Sequence, residues 1–154
     1  MKITICNSVR FFREAVEVKA KLEEMGHQAT THPMSVYFRG QNVHVMDYYT
    51  ARKNEWNEEI EELKGQLMRD HFEKIRDSDA VLVINLDKDG KKNYIGGNTF
   101  LEMGVAFALG KKIFVLNAIP EDSPYREELK GLRPIVLNGD LKGIDAWLAT
   151  RIGA

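Results

Sequence analysis

Glu102 follows Thr99 by three residues and the run Tyr94-Ile95-Gly96-Gly97-Asn98 by four, just downstream of an apolar segment from Ala80 to Leu86. Two readings of that carboxylate are open. Thr99-x-x-Glu102 fits a capping box, in which the Glu folds back onto a free N–H at a helix start; the other reading leaves the carboxylate free at the mouth of a strand. Gly96-Gly97 can bring backbone N–H groups close to an anion, and the helix start that follows adds a favourable field. The pair is neither a P-loop nor a G-x-G-x-x-G fingerprint, so anion binding rests here on position. Two more polar sets follow apolar runs: Asn7-Ser8-Val9-Arg10 and Asn117 to Pro120.

These groups meet only if the runs before them are neighbouring parallel strands. Lys2 to Asn7 reads as the first strand and His27 to about His32 as a second, stopped by Pro33. Ala80 to Leu86, apolar almost throughout, reads as a central strand covered on both faces. Lys112 to Leu116 and Ile135 to Leu137 add a fourth and a fifth. Between them, Phe11, Ala15, Val18, Leu22 and Met25 have helical spacing, closed by Gly26. Trp56, Ile60, Leu63, Leu67, His71 and Ile75 form the stripe of another helix, beginning at about Asn54 and weakened at Gly65. Further helices run from Thr99 to Gly110, from about Pro124 to Lys130 and from about Leu141 to Ile152. The expectation is an α/β protein: a three-layer αβα domain over residues 1–154, with a five-stranded parallel sheet in the flavodoxin-like order 2-1-3-4-5. In that order the loops after strands one, three and four share one sheet edge. Residues 34–49 read as a loop to which Val36 to Phe38 could add a short strand; its aromatics Tyr37, Phe38, Tyr48 and Tyr49 read as packing with a mobile edge, with a lid as the alternative.

The chain has 154 residues, 44% of them hydrophobic, enough for one core. A net charge of −1 gives no field for nucleic acid and no basic membrane patch. The chain opens on a strand and its apolar runs are strand-sized, so a cytoplasmic protein without signal peptide or membrane span is expected. The single cysteine, Cys6, reads as a small buried hydrophobe. His71, four residues from both Leu67 and Ile75, sits on a buried stripe, where a core histidine is one reading. Asp87-Lys88-Asp89-Gly90 resembles a calcium loop only superficially, since its Gly comes too early, and no metal site or cofactor is expected. Lys88, Lys91 and Lys92 read as a basic loop rim.

Ser78-Asp79-Ala80-Val81-Leu82-Val83, the loop to Gly96-Gly97-Asn98-Thr99, and Phe100-Leu101-Glu102-Met103-Gly104 through Leu109-Gly110-Lys111-Lys112 resemble the nucleoside 2-deoxyribosyltransferase superfamily, which includes the 2'-deoxynucleoside 5'-phosphate N-hydrolases. Cys6-Asn7-Ser8-Val9-Arg10 is similar to the hydrolases' C-G-S-I-R turn. The resemblance implies N-glycosidic bond cleavage or transfer on a nucleoside or nucleoside 5'-monophosphate. Glu102 would be the nucleophile, and Ser8, Arg10, Gly96, Gly97, Asn98 and Asn117 would bind substrate. The family's second acid falls at or next to His71, with Asp70 beside it; a catalytic His71 would be a general acid to the leaving base. Asn98 stands where the family motifs carry glycine. Ser123 to Glu127 aligns with the partner-subunit stretch that the hydrolases use on phosphate, where Glu127 would repel an anion. A homodimer is implied. The alternative is a nucleotide-binding or sensor domain without turnover.

Overall fold

A computed structural model describes residues 1–152. The chain runs β1 (Lys2–Asn7), a 3-10 turn (Val9–Phe11), α1 (Phe12–Glu24), β2 (Gln28–Thr30), β3 (Ser35–Phe38), β4 (Gln41–His44), α2 (Val45–Asn54) and α3 (Glu58–Arg76). It continues through β5 (Ala80–Ile84), α4 (Gly97–Ala108), β6 (Lys112–Val115), α5 (Arg126–Gly131), β7 (Ile135–Val136) and α6 (Lys142–Ile152). The main sheet is parallel throughout, in the order β2-β1-β5-β6-β7. This is the expected three-layer α/β fold with 2-1-3-4-5 order.

The period-two alternation along each strand decides which layer it feeds. Ile3 and Ile5 of β1, Leu82 and Ile84 of β5 and Phe114 of β6 pack with Ala15 and Leu22 of α1 and Ile144 of α6. Cys6, Val81, Val83, Ile113 and Val115 face the other way, against Ile75, Met103, Ala106 and Leu129 from α3, α4 and α5. Both layers being filled, β5 is buried at every residue, the burial expected of a central strand. No described helix is long and apolar enough to cross a membrane.

The segment read as a loop is structured. β3 and β4 form an antiparallel hairpin, and α2 follows with His44 as its N-cap. Val36, Phe38, Val45 and Tyr48 build a small separate core with Phe12 and Ile60. Each large side chain buried there contributes ~1.5–3 kcal/mol, which holds α2 against α3 in place of a mobile edge; Tyr37 alone of the aromatics at 37, 38, 48 and 49 points to solvent, 72% exposed. Two helix expectations are also corrected. Trp56 precedes α3, whose N-cap is Asn57, and is mostly exposed. Gly65 does not interrupt α3, because the flanking turns anchor on Ile60, His71 and Ile75.

Candidate functional site

The C-terminal ends of β1 and β5 open onto the loop that leads into α4. Gly96 is the N-cap of that helix, and no side chain caps it. A Cβ at Gly96 would lie 2.9 Å from the Tyr94 hydroxyl, so a larger residue there would have to push the Tyr94 ring aside. Thr99 is the third helical residue and not the cap, which removes the geometry a capping box needs. Glu102 is therefore free of its own backbone and turns inward, 1% exposed.

The carboxylate is held by side chains. Asn98 Nδ2 donates to Glu102 Oε1 at 2.7 Å, and Lys64 Nζ donates to Asn98 Oδ1 at 2.8 Å. His32 Nε2 stands 3.7 Å from Oε1 and His71 Nε2 3.9 Å from Oε2. The two imidazoles stack, with centroids 4.0 Å apart and planes 13° from parallel. Cys6 Sγ lies 3.8 Å from His71 Nε2. Glu102 Oε2 has no hydrogen-bond partner among the described residues, a costly state for a buried acceptor unless a ligand or water meets it.

Burial governs the charges in this cluster. It pushes the Glu102 carboxyl up to about 8, against the partial pull of Cys6, Lys64 and Asn98. It lowers His32 to about 4, helped by the Lys74 and Lys64 charges, and lowers His71 well below its ordinary value. At neutral pH both imidazoles are uncharged. The Cys6 thiol is raised well above its usual range by burial and by Glu102, which makes it an unreactive neighbour.

Beside the cluster lies a cleft of about 250 Å³. Ser8, Gly96, Gly97 and Asn98 form one side; Tyr49, Arg52, Lys53 and Lys64 from α2 and α3 form the other, with Lys88 and Tyr94 at the loop. A side constriction of about 10 Å³, room for roughly one water, leads between His32, Tyr49, Lys64 and Asn98 to Glu102. A hollow of about 300 Å³ beside β1 and β2, near Lys2, Thr30 and Lys74, is larger but holds none of these groups.

Of the residues singled out in the sequence, Ser8, Gly96, Gly97 and Asn98 line the cleft and Glu102 its side constriction. His71 is in the cluster but lines neither space. Asp70 lies on the exposed face of α3, accepting from Gln66 Nε2. Arg10 is exposed and outside the cleft lining. Asn117 is bound into the scaffold: its N–H donates to Asn85 Oδ1 at 2.8 Å and its Nδ2 to the Asn85 carbonyl at 3.1 Å. Glu127 is exposed on α5 and does not line the cleft. Sequence reasoning missed His32, Lys64, Arg52 and Lys53. Lys64 had a signal, since it sits four residues after Ile60 and seven before His71, on the buried stripe of α3.

Cys6, His71 and Glu102 have donor atoms within 4.8 Å of one another and all three are buried. With the Cys6 thiol raised well above its usual range and Glu102 keeping its proton up to about 8, the cluster is not in the deprotonated form that a metal ion needs. No spacing rule announces it, because the three come from β1, α3 and α4.

No protein-family model matches the chain, and no curated protein matches it. Solved structures do. The chain superposes on the CMP N-glycosidase of Clostridium botulinum over 96% of its own length and 99% of that chain, with a TM-score of 0.53 and 17% identity. The 2-deoxyribosyltransferase of Bacillus psychrosaccharolyticus matches over 75% of this chain and 72% of its own, with a TM-score of 0.48 and 17% identity. The enzyme of that name from Leishmania mexicana matches over 75% and 63%, with a TM-score of 0.46 and 15% identity. At these identities the likeness is one of fold.

Proposed function

We propose that this chain cleaves or transfers the N-glycosidic bond of a nucleoside or nucleoside 5'-monophosphate, with Glu102 as the nucleophile. The observation that carries the reading is a buried carboxylate, released from its own helix, with one oxygen unpartnered beside a cleft at the strand ends. A structure of the same fold bears the name of an N-glycosidase acting on CMP, which agrees with it.

In this mechanism Glu102 Oε2 forms a bond to the anomeric carbon as the bond to the base nitrogen breaks, the electron pair leaving with the base, which takes up a proton. Water or a second base then displaces the carboxylate and releases the sugar. Asn98, held by Lys64, fixes the carboxylate through Oε1, and Oε2, unpartnered and 3.9 Å from His71, has to turn from the buried side toward the constriction to meet the sugar. His71 supports the carboxylate from the buried side; neutral at pH 7, it is a positioning group and not a strong acid for the base. Ser8 and the Gly96-Gly97 backbone contact the sugar or its phosphate. The reaction needs no cofactor. Leu101, Phe107 and Leu109 are exposed one by one around α4 and its C-terminal end, and a homodimer belongs to the same reading, a point sedimentation tests. A cytoplasmic location belongs to the same reading.

One observation favours the alternative, a nucleotide sensor. The space in front of Glu102 holds about one water, so a sugar reaches it only if Tyr49 or His32 moves. Incubation with deoxynucleosides and their 5'-monophosphates, with Glu102→Ala as control, separates the two. Base release that the substitution abolishes supports the enzyme; binding without base release by the unmodified chain supports the sensor.

A further inference from the structure

We infer that the cleft holds a ligand carrying two or more linked phosphoryl groups, such as a nucleoside diphosphate or triphosphate, more tightly than the corresponding monophosphate. The inference rests on the proposed use of this cleft for a nucleotide, and names the phosphate chain it holds. Four cationic side chains line the cleft: Arg52, Lys53, Lys64 and Lys88. No carboxylate shares the lining; the nearest, Glu102, lies in the side constriction.

None of the four cations has an ion-pair partner among the described residues, as is true of most Lys and Arg of the chain; what sets these four apart is that they line one cleft together. Three of the four are held by neutral groups of the same cleft. Arg52 lies 4.8 Å over the Tyr49 ring, Lys88 4.3 Å over the Tyr94 ring, and Lys64 on the Asn98 amide. Such contacts orient a cation without cancelling its charge. The uncapped start of α4 at Gly96 and Gly97 adds N–H donors to the same cleft.

A phosphate monoester carries a charge of about −2 at neutral pH, which two of these cations and the helix start satisfy. The remaining two would stay unpaired in a like-charged group. A second phosphoryl group placed between the α2 cations and Lys88 resolves that imbalance. The arrangement also replaces the anion site expected at Arg10, which lies outside the cleft.

Calorimetric titration with inorganic phosphate, pyrophosphate and tripolyphosphate tests this without knowledge of the base. Pyrophosphate is expected to bind at least tenfold more tightly than phosphate, and the Lys53→Gln/Lys88→Gln double variant to lose most of that preference. These are surface-proximal substitutions, and melting curves check that the variant is folded. A matched series of nucleoside mono-, di- and triphosphates, assayed for binding and for base release, completes the test. Equal affinity for phosphate and pyrophosphate, no binding of either, or an undiminished preference in the double variant overturns the inference. Base release from a monophosphate in the same assays would leave the glycosidase reading standing when the phosphate-chain inference fails. Tight diphosphate binding with no base release from any nucleotide would do the reverse.

Discussion

Asn98 and Glu102 lie one turn apart on α4, and the 2.7 Å bond from the Asn98 amide to Glu102 Oε1 is the only hydrogen bond the carboxylate makes among the described residues. Its oxygen end is fixed in turn by Lys64. Asn98 thus holds the proposed nucleophile.

Replacing Asn98 by glycine removes that donor and leaves the carboxylate to burial alone. A hydrogen bond to a charged group is worth ~1.5–3 kcal/mol, so kcat/KM for base release should fall by roughly 10- to 100-fold. The loss should be greatest at neutral pH and smaller at pH 9, where Glu102 ionises without help. A pH-rate profile of Asn98→Gly checks this; a loss equal at every pH would mean that Asn98 acts on the substrate instead.

The unmodified chain should show an alkaline profile for the same reason. Burial holds the Glu102 proton up to about pH 8, and a nucleophile must be ionised. The rate is expected to rise with pH below 8 and level above it. A rate that falls over that range would make Glu102 an acid.

Stability should respond to pH in two opposed windows. His32 and His71 both have depressed values, so their contribution is present above about 6.5; that of His32 is lost as pH falls through about 4, and that of His71 is likewise lost on the acid side. Glu102 has a raised value; its contribution is complete below about 4.5 and is lost as pH rises through about 8. Cys6, Lys64, Asn98 and Tyr49 face the same cluster, and Glu102→Gln leaves them in place. The melting temperature of Glu102→Gln relative to the unmodified chain should therefore climb between pH 5 and pH 9. Parallel curves would contradict the buried proton.

Asn117 should behave as scaffold. With Asn85 it joins the ends of β5 and β6 through four hydrogen bonds, two of them from Asn85 Nδ2 to the Asn117 and Ala118 carbonyls. Asn117→Ala should cost about 1–3 kcal/mol in denaturant unfolding and leave ligand affinity unchanged. A selective loss of affinity would return Asn117 to the binding site.

The sheet was legible because its strands are short, mostly apolar runs that helices cover on both sides; β1 spans Lys2–Asn7, the stretch read from its apolar centre. The hairpin and α2 were not, because α2 buries only Val45 and Tyr48 and carries no stripe long enough to read. That gap hid Arg52 and Lys53. The role of Glu102 stayed open in the sequence because a capping box depends on where the helix begins, and two residues decide it: α4 starts at Gly97, so Thr99 is already inside. His32 was read only as a strand end, since nothing local says that its ring stacks on His71 from another element.

The most direct test is the rate of base release from nucleoside 5'-phosphates at pH 8 by Glu102→Gln, an isosteric change, against the unmodified chain, with both shown to be folded. The account predicts a loss of at least roughly 1,000-fold, the size expected when a nucleophile is removed. Release by Glu102→Gln within tenfold of the unmodified chain would contradict it.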